Sequence, residues 1–303
     1  VETLENMTVF PQGGISRRNG SRFVCEVKDS TAITRLIPFE FNITQAYVLE
    51  FGNNYIRFLK DNGQITETAK TISGITAANP AVVTATSHGY SDGDDVWIAG
   101  VVGMTRLNGR RFTVANKTTN TFELTDENST SYTAWSSGGT ASKTYQITTT
   151  YTSAELYDLQ FTQSADVMYI VHPDHPPAKL SRTAHTTWSL DDVDFTNGPY
   201  LDTNTTTTTL TPASAGTGTG VNITASAVTG INNNVGWLAS DVGREISFNS
   251  GKATITARTN STVVVVTITT AFADTAATVA FQLDAWSATT GYPRTVSFFE
   301  QRL

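Results

Sequence analysis

The feature that most limits how this chain can fold is its shortage of helical periodicity. No window longer than about three turns places Leu, Ala, Glu and Lys at the spacing of an amphipathic helix. Hydrophobic residues make up 39% of the chain and charged residues 16%, while Thr, Ser, Asn and Gly are abundant. This composition is typical of short strands joined by turns. The sequence therefore predicts an all-β fold, with one short helix over Ser153–Leu159, where a serine and an early glutamate resemble a helix cap.

The character of the sequence changes several times along the chain. Two stretches of related pattern, 43–49 and 161–171, are separated by a block of different composition. Large surface insertions of this kind suit contacts with large partners. We therefore predict a β platform interrupted by two small inserted β-barrel or sandwich modules. The platform residues are 1–70, 144–200 and 286–303, and the inserted modules are 71–143 and 201–285.

The clearest local prediction is a hairpin near residue 50. Apolar residues alternate over Tyr47–Phe51, Gly52-Asn53-Asn54 supplies a turn, and Tyr55–Lys60 returns. Residues 203–220, rich in Thr and Gly, are predicted to be a flexible linker or an exposed loop.

A second hairpin is predicted near the start of the chain. Asn19-Gly20 suits a tight turn, after which Phe23, Cys25 and Val27 alternate as they would along a strand. Cys25 is the only cysteine, so the chain cannot form an internal disulfide. The pattern predicts a buried, inert thiol at this position.

The first insert has the spacing of a small barrel or sandwich. Five or six short strands are expected at intervals of roughly ten residues. The clearest of them are Val82–Ala85, Val96–Ala99, Arg111–Ala115 and Thr121–Thr125.

Charge and hydropathy exclude two classes of function. A net charge of −7 and a pI near 5.1 argue against a dedicated nucleic-acid binder. No apolar run approaches the roughly 20 residues that span a bilayer, so no membrane association is expected.

The residues at both ends of the chain resemble the interior of a longer sequence, and we expect a fragment of a longer polypeptide. The arginine groups expected to lie in solvated loops or ion pairs are Arg17, Arg18 and Arg22, and Arg106, Arg110 and Arg111.

One cluster contains residue types that bind metals. His172, Asp174 and His175 lie beside three prolines, but the sequence offers no distant fourth ligand, so a stiff structural turn is favoured over a metal site. The Gly216–Gly220 repeat lacks the strand, helix and Lys-Ser or Lys-Thr of a phosphate loop, and is interpreted as low complexity.

Two other groups of side chains have competing interpretations. His88 precedes three nearby aspartates, which suggests a calcium loop, but the acidic spacing of an EF-hand is missing and a charged turn is favoured. The five tryptophans are scattered, which favours core anchors over a sugar-stacking platform. The aspartates are Asp92, Asp94 and Asp95, and the tryptophans are Trp97, Trp135, Trp188, Trp237 and Trp286. We predict no catalytic, cofactor-binding or metal-binding residues.

Several stretches, taken in order, resemble tail nozzle proteins of short-tailed bacteriophages, also called tail tubular protein B-like or stabilisation proteins. They cover about half of the chain, and their order is more specific than any one of them. The stretches are Leu4–Asn6, Pro11–Gly14, Arg17–Val24, Arg35–Phe41, Tyr47–Gly52, Asp158–Pro173 and Gly291–Leu303.

The first insert resembles a small barrel named after the first catalytic cysteine half-domain of ubiquitin-activating enzymes, which also occurs in phage structural proteins. The block contains no cysteine, so the resemblance implies a barrel and no enzymatic activity. The residues that carry it are Ser87–Tyr90, Gly93-Asp94, Val96–Ile98, Gly103-Met104, Leu107–Gly109, Phe112–Val114, Thr121–Leu124 and Gly138–Thr140.

The tail resemblance implies a non-enzymatic structural subunit with a partial β-propeller-like platform. Such subunits form a ring, usually a hexamer, which contacts portal, adaptor and tail fibre proteins and lets double-stranded DNA pass. The implied location is the virion, and the host cytoplasm during assembly. Two alternatives stay open: a host-surface glycan-binding module that uses Trp97 or Trp135, and a polysaccharide depolymerase.

Overall fold

The computed structural model of the chain describes residues 5–21, 23–42, 45–195 and 198–299. The chain divides into two compact units, one formed by residues 1–32 and 57–145 and the other by residues 33–56 and 146–303. Nearly all regular structure in the described residues is β-strand, beside two short 3-10 turns at Thr105–Leu107 and Ala239–Asp241. The predicted all-β fold is confirmed. Neither helical segment of the described residues has the length or apolar character needed to cross a membrane.

The strands are numbered in chain order. The first six are β1 (Met7–Phe10), β2 (Gly14–Arg17), β3 (Arg35–Asn42), β4 (Gln45–Gly52), β5 (Tyr55–Lys60) and β6 (Gly63–Gln64). The next seven are β7 (Lys70–Thr71), β8 (Gly74–Ile75), β9 (Ala81–Thr84), β10 (Asp95–Val102), β11 (Arg110–Ala115), β12 (Thr121–Leu124) and β13 (Ser137–Lys143). Then come β14 (Gln146–Thr148), β15 (Gln160–Ser164), β16 (Val167–His172), β17 (His175–Ala184) and β18 (Thr187–Asp192). The last six are β19 (Leu210–Pro212), β20 (Gly218–Ala225), β21 (Glu245–Phe248), β22 (Gly251–Arg258), β23 (Val263–Thr270) and β24 (Phe281–Leu283).

In the first unit, a seven-stranded antiparallel sheet in the order β7-β13-β10-β11-β12-β9-β8 curls around one core. The edge strands β7 and β8 are consecutive in the chain. The two residues between them, Ile72 and Ser73, bond to strands at opposite ends of the sheet. The Ile72 amide donates to Gly139 O at 2.9 Å, and the Ser73 amide donates to Thr84 O at 2.9 Å. The segment 70–75 therefore pairs with β13 at one end of the sheet and with β9 at the other, which curls the sheet into a half-barrel, hereafter the first barrel.

The core of the first barrel follows the period-2 pattern of its strands. Along β10, Val96 and Ile98 are fully buried, whereas Trp97 between them is half-buried. The four strands predicted from the sequence are present as β9 to β12. Strand β13 is not evident in the sequence because Gly138 and Gly139 weaken the strand signal. Both glycines have positive φ angles, 66° and 106°, where a side chain would be strained.

In the second unit, the hairpin predicted near residue 50 is found. Strand β4 ends at Gly52, the turn follows at Asn53-Asn54, and β5 begins at Tyr55, while β3 pairs with β4 on its other side. On the far side of the turn, the Tyr55 hydroxyl donates to Glu50 Oε1 at 2.7 Å, and the Tyr55 ring covers Gly52 so closely that a Cβ there would lie 2.2 Å from it. Strands β15 to β18 form a separate antiparallel meander in chain order.

The rest of the second unit contains a six-stranded sheet in the order β19-β20-β23-β22-β21-β24. Its apolar face packs into one core that includes the fully buried Trp237. The sheet corrects the prediction of a flexible linker over residues 203–220, because β19 and the start of β20 lie within that tract. Threonine is β-branched and suits strands, and Leu210 at the start of β19 is fully buried.

Two further sequence predictions are wrong. Residues 153–158 form successive turns and no helix: the amides of Glu155 and Asp158 bond three residues back, to Thr152 O and Glu155 O, as separate turns do. No strand is found over residues 23–27, where Phe23 is 81% exposed and Cys25 is half-buried. Alternation predicts a strand only where a partner strand pairs with it, and this segment joins no sheet of the described residues.

Some predictions lie outside the described residues. These are the ones that concern Leu4, Arg22, Ile43-Thr44 and Glu300–Leu303.

Candidate functional site

A histidine cluster forms at the hairpin between β16 and β17. The hairpin turns at Pro173-Asp174, and its register places His172 directly opposite His175. The two rings therefore lie on the same face, with centroids 5.1 Å apart. His172 is 2% exposed, and the His175 ring also packs edge-on against Tyr151 at 5.1 Å.

The turn segment before β15 adds a carboxylate to this cluster. The Thr152 amide and hydroxyl both donate to Glu155 Oε2, at 2.7 and 2.8 Å. The other oxygen, Oε1, is thereby directed toward the hairpin and lies 3.2 Å from His175 Nε2. The ligand atoms of Glu155, His172 and His175 all lie within 4.8 Å of one another, and they are the one such group found in the described part of the chain.

The electrostatics of the cluster favour an ionised glutamate. Burial raises the pKa of Glu155, but the hydrogen bonds from Thr152 and the proximity of His175 outweigh burial and hold the pKa below its usual value. The Nε2 atoms of His172 and His175 are buried without a hydrogen-bond partner among the described residues. The 3.2 Å approach of His175 to Glu155 is close enough for an ion pair but lacks hydrogen-bond alignment.

The composition of the cluster differs from the set that the sequence suggested. Asp174 is 77% exposed, and its Oδ2 lies 4.0 Å from His172 Nδ1, on the outer side of the ring. The carboxylate that lies beside His175 Nε2 belongs instead to Glu155. The sequence did not point to Glu155, because this residue lies in a segment expected to be helical, although the spacing of Thr152 and Glu155 does signal a carboxylate held by a turn.

A second candidate is an acidic pocket of about 290 Å³ in the second unit. Its apolar wall is the edge-to-face pair of Phe195 and Trp286, with ring centroids 4.9 Å apart. Tyr292 also lines the pocket. The carboxylates around it are Asp192, Asp194, Glu245 and Asp284.

Two of these carboxylates have distinct environments. Burial raises the pKa of Asp284, although backbone amides of Trp286 and Ala285 donate to it and oppose the shift. Glu245 accepts a hydrogen bond from the Tyr200 hydroxyl, and Lys252 Nζ lies 3.5 Å from Glu245 Oε1. The pocket thus combines aromatic surface with hydrogen-bond acceptors, which suits a polar ligand that carries hydroxyl groups.

His88 lies in the core of the first barrel and does not join the nearby aspartates. Its Nδ1 accepts from the Tyr90 amide at 2.9 Å, its Nε2 lies 3.2 Å from Thr121 O, and its ring contacts Phe122 edge-on. The aspartates are dispersed among separate partners. These contacts join Asp92 to the Lys117 amide, Asp94 to Lys143 and Asp95 to Arg57.

The arginines of the first barrel are held by the fold. Arg110 forms a bidentate pair with Glu127, with N–O distances of 2.8 and 2.7 Å. Arg106 lies over the Tyr132 ring and Arg111 over the Trp97 ring. These three guanidinium groups therefore have partners within the barrel: a carboxylate for Arg110 and aromatic rings for Arg106 and Arg111.

The tryptophans occupy different environments. Trp188 packs against Phe39 and Tyr47, and Trp135 is half-buried with its indole N–H donating to Gly138 O at 3.0 Å. Trp286 is the one of the five that lines the acidic pocket.

The Gly216–Gly220 repeat contains the start of a strand, because β20 begins at Gly218.

Comparison with protein families identifies one segment of the chain. Residues 78–144 match the family model described as the ubiquitin-activating enzyme E1 FCCH domain. The match falls within the first barrel and supports the resemblance seen in the sequence. No curated protein matches the chain.

Proposed function

We propose that the chain is a structural, non-enzymatic subunit of a bacteriophage tail, of the nozzle or tail tubular protein B-like type. In this proposal the subunits form a ring around the DNA exit channel, usually a hexamer, and contact portal, adaptor and fibre proteins. A platform of residues 1–70, 144–200 and 286–303, with inserts at 71–143 and 201–285, is part of the proposal. The observation that carries it is that stretches resembling this family, distant in the sequence, meet within the second unit.

Three contacts join those stretches. The Arg35 guanidinium donates to Leu159 O at 2.8 Å. The Tyr292 amide donates to Pro173 O at 2.9 Å. The Tyr169 ring meets Phe298 edge-on, with centroids 5.8 Å apart. Stretches from the beginning, middle and end of the chain therefore stabilise one body, as expected if they belong to one ancestral scaffold.

The first barrel is consistent with a spacer or contact module. Its matched segment, residues 78–144, contains no cysteine, so the chemistry in the family's name has no nucleophile here. Its buried His88 and its Arg110–Glu127 pair are both satisfied by the barrel. Side chains that bond to the fold in this way stabilise a module and leave little free for catalysis.

The β1–β2 hairpin supports assembly into a larger particle. It is a two-stranded sheet that pairs with no other strand of the described residues, and a hairpin of this size is marginally stable alone. It nevertheless exposes large apolar side chains. These are Met7, Val9, Phe10 and Ile15, which are 47%, 60%, 47% and 56% exposed. Another copy of the chain would bury them in a ring.

The net charge of −7 fits the passage of DNA. Carboxylates that line a channel repel phosphates, so the duplex moves through without adhering.

The test is electron microscopy and native mass spectrometry of the purified chain, alone and mixed with portal and adaptor proteins. We expect ring-shaped oligomers and co-purification with portal or adaptor. V9D combined with I15D should abolish rings, while V102D, which alters an exposed valine on the first barrel, serves as the matched control and should leave them intact. A chain that stays monomeric and binds neither protein contradicts the proposal, as does retention of double-stranded DNA at physiological salt.

The acidic pocket favours a second candidate function, glycan binding at the host surface. Aromatic rings stack on sugars and carboxylates accept hydrogen bonds from their hydroxyl groups, and the acidic pocket places Trp286 beside such carboxylates. A glycan array probed with the chain tests this candidate. Binding that is lost in W286A and kept in W97A supports it, whereas an array without signal contradicts it.

A further inference from the structure

We propose that Glu155, His172 and His175 bind a divalent transition-metal ion, best matched by Zn²⁺. The metal would join the turn segment that precedes β15 to the β16–β17 hairpin. This inference stands on the geometry of the cluster and does not depend on the function proposed for the chain.

The ligand types and their spacing fit zinc. Two imidazoles and one carboxylate form a donor set that Zn²⁺ uses in proteins, with bonds of about 2.0–2.2 Å. Tetrahedral angles then separate ligand atoms by about 3.3–3.5 Å. His175 Nε2 and Glu155 Oε1 are already 3.2 Å apart, and all three ligand atoms lie within 4.8 Å, so small side-chain rotations complete the site. Calcium and magnesium prefer sites made of oxygen ligands and fit less well.

A second observation points to a ligand. The Nε2 atoms of His172 and His175 are buried and lack hydrogen-bond partners among the described residues. His172 is 2% exposed, so water does not readily compensate its ring nitrogen. A cation between the rings and Glu155 would bind these nitrogens and balance the carboxylate charge.

The contacts of the two Nδ1 atoms can orient both rings so that each Nε2 atom faces the metal. His175 Nδ1 lies 3.2 Å from Thr150 Oγ1, so its N–H can donate there and leave the Nε2 lone pair facing Glu155. His172 Nδ1 accepts from the Asp174 amide at 3.1 Å in this structure. On metal binding the ring proton would move to Nδ1, where the Asp174 carboxylate, now 4.0 Å away, would accept it. Asp174 is therefore a positioning residue, in the carboxylate–histidine–metal arrangement.

The proposed role of the metal is structural. Three protein ligands from two segments cross-link the hairpin to the preceding turns, which pack as well against the turn at Asn53-Asn54. There the Asn54 amide donates to Tyr151 O at 2.8 Å and the Ser153 amide to Asn53 Oδ1 at 3.1 Å. Occupancy should thus raise the unfolding temperature of the second unit.

The test uses the full chain without a histidine tag. Zn²⁺ is titrated by calorimetry, Co²⁺ is followed by its visible spectrum, and thermal unfolding is recorded with and without Zn²⁺. We expect one equivalent to bind, a spectrum typical of four- or five-coordinate cobalt, and a rise in melting temperature. Each of E155Q, H172Q and H175Q should weaken binding by more than about tenfold, and D174N by a smaller factor.

H88Q is the matched control. His88 is equally buried and also accepts an amide from the residue two positions later, but it lacks a second histidine and a carboxylate. H88Q should bind Zn²⁺ like the wild type. Wild-type chain that binds no Zn²⁺ and leaves the Co²⁺ spectrum unchanged overturns the proposal, whether or not the variants fold. Undiminished binding by a folded H172Q/H175Q double variant also overturns it.

Discussion

Arg244 and Asp241 form an ion pair in which both side chains are fully buried, with Nη1 and Oδ1 3.1 Å apart. The pair is enclosed by further hydrogen bonds. Asn232 donates to Asp241 Oδ2 at 2.6 Å, and Arg244 Nε donates to Asp284 O at 2.9 Å. Burial lowers the pKa of Arg244, and the Asp241 carboxylate opposes the shift. This network fixes the loop that leads into β21 and so helps to position the six-stranded sheet.

Removing Asp241 should therefore destabilise the second unit strongly. D241A leaves a buried guanidinium without its counter-ion, which typically costs about 3–5 kcal/mol. Thermal and urea unfolding of the full chain measure this loss. D202A, at an exposed aspartate of the second unit, should change stability by less than about 0.5 kcal/mol. Equal stability of D241A and wild type would contradict the importance of the pair.

The first barrel contains a glycine whose replacement should be poorly tolerated. Gly103 has φ +89°, and a Cβ there would lie 2.1 Å from Ala134 O. Gly93 has nearly the same φ, +87°, but open space around it, so G93A serves as the matched control for backbone strain alone. We expect G103A to lose about 1–3 kcal/mol more than G93A in unfolding experiments. Similar losses in the two variants would mean that the barrel backbone yields at Gly103.

Acid should weaken the first unit through Glu127. Burial raises the pKa of this carboxyl, but the hydrogen bonds from Arg110 and Tyr132 outweigh burial and place the pKa below its ordinary value of 4.5. Because the folded-state pKa is the lower one, the ionised carboxylate contributes its full stabilisation above pH 4.5 and loses it as pH falls from there through the folded-state pKa.

The measurement is thermal unfolding of wild type and E127Q between neutral and acidic pH. E127Q should be less stable at neutral pH and should lose less on acidification. D126N, which alters an exposed carboxylate of the same barrel, should retain the wild-type slope. Identical slopes for wild type and E127Q would exclude this origin of acid sensitivity.

The threonine-rich tract should be protected from hydrogen exchange. The Asn204 side chain donates to Thr208 O at 3.1 Å and to Val279 O at 3.0 Å, and the Leu210 amide donates to Thr278 O at 2.9 Å. Exchange measured by mass spectrometry on peptides within residues 203–220 should be slow. N204A should make it faster and destabilise the unit by about 1–3 kcal/mol. Rapid exchange in the wild type would restore the interpretation of a flexible linker.

The sequence by itself determined the fold class and most strand positions in the first barrel. The positions of strands such as Asp95–Val102 can be predicted from the local sequence, because side chains alternate between the core and the surface with a period of two. The turn at Gly52-Asn53-Asn54 is equally local, since glycine and asparagine tolerate the backbone angles that it needs. Such features depend on neighbouring residues only, and a sequence reports them directly.

Only the tertiary structure decided which distant residues meet. It placed Glu155 against His172 and His175, paired Leu210–Pro212 with β20, and left residues 23–27 without a partner strand. It also replaced the expected helix at Ser153–Leu159 by turns, in which the amides of Glu155 and Asp158 bond three residues back and the Ser153 amide bonds to the distant Asn53. Local spacing does not encode these outcomes, because they depend on the packing of segments far apart in the chain.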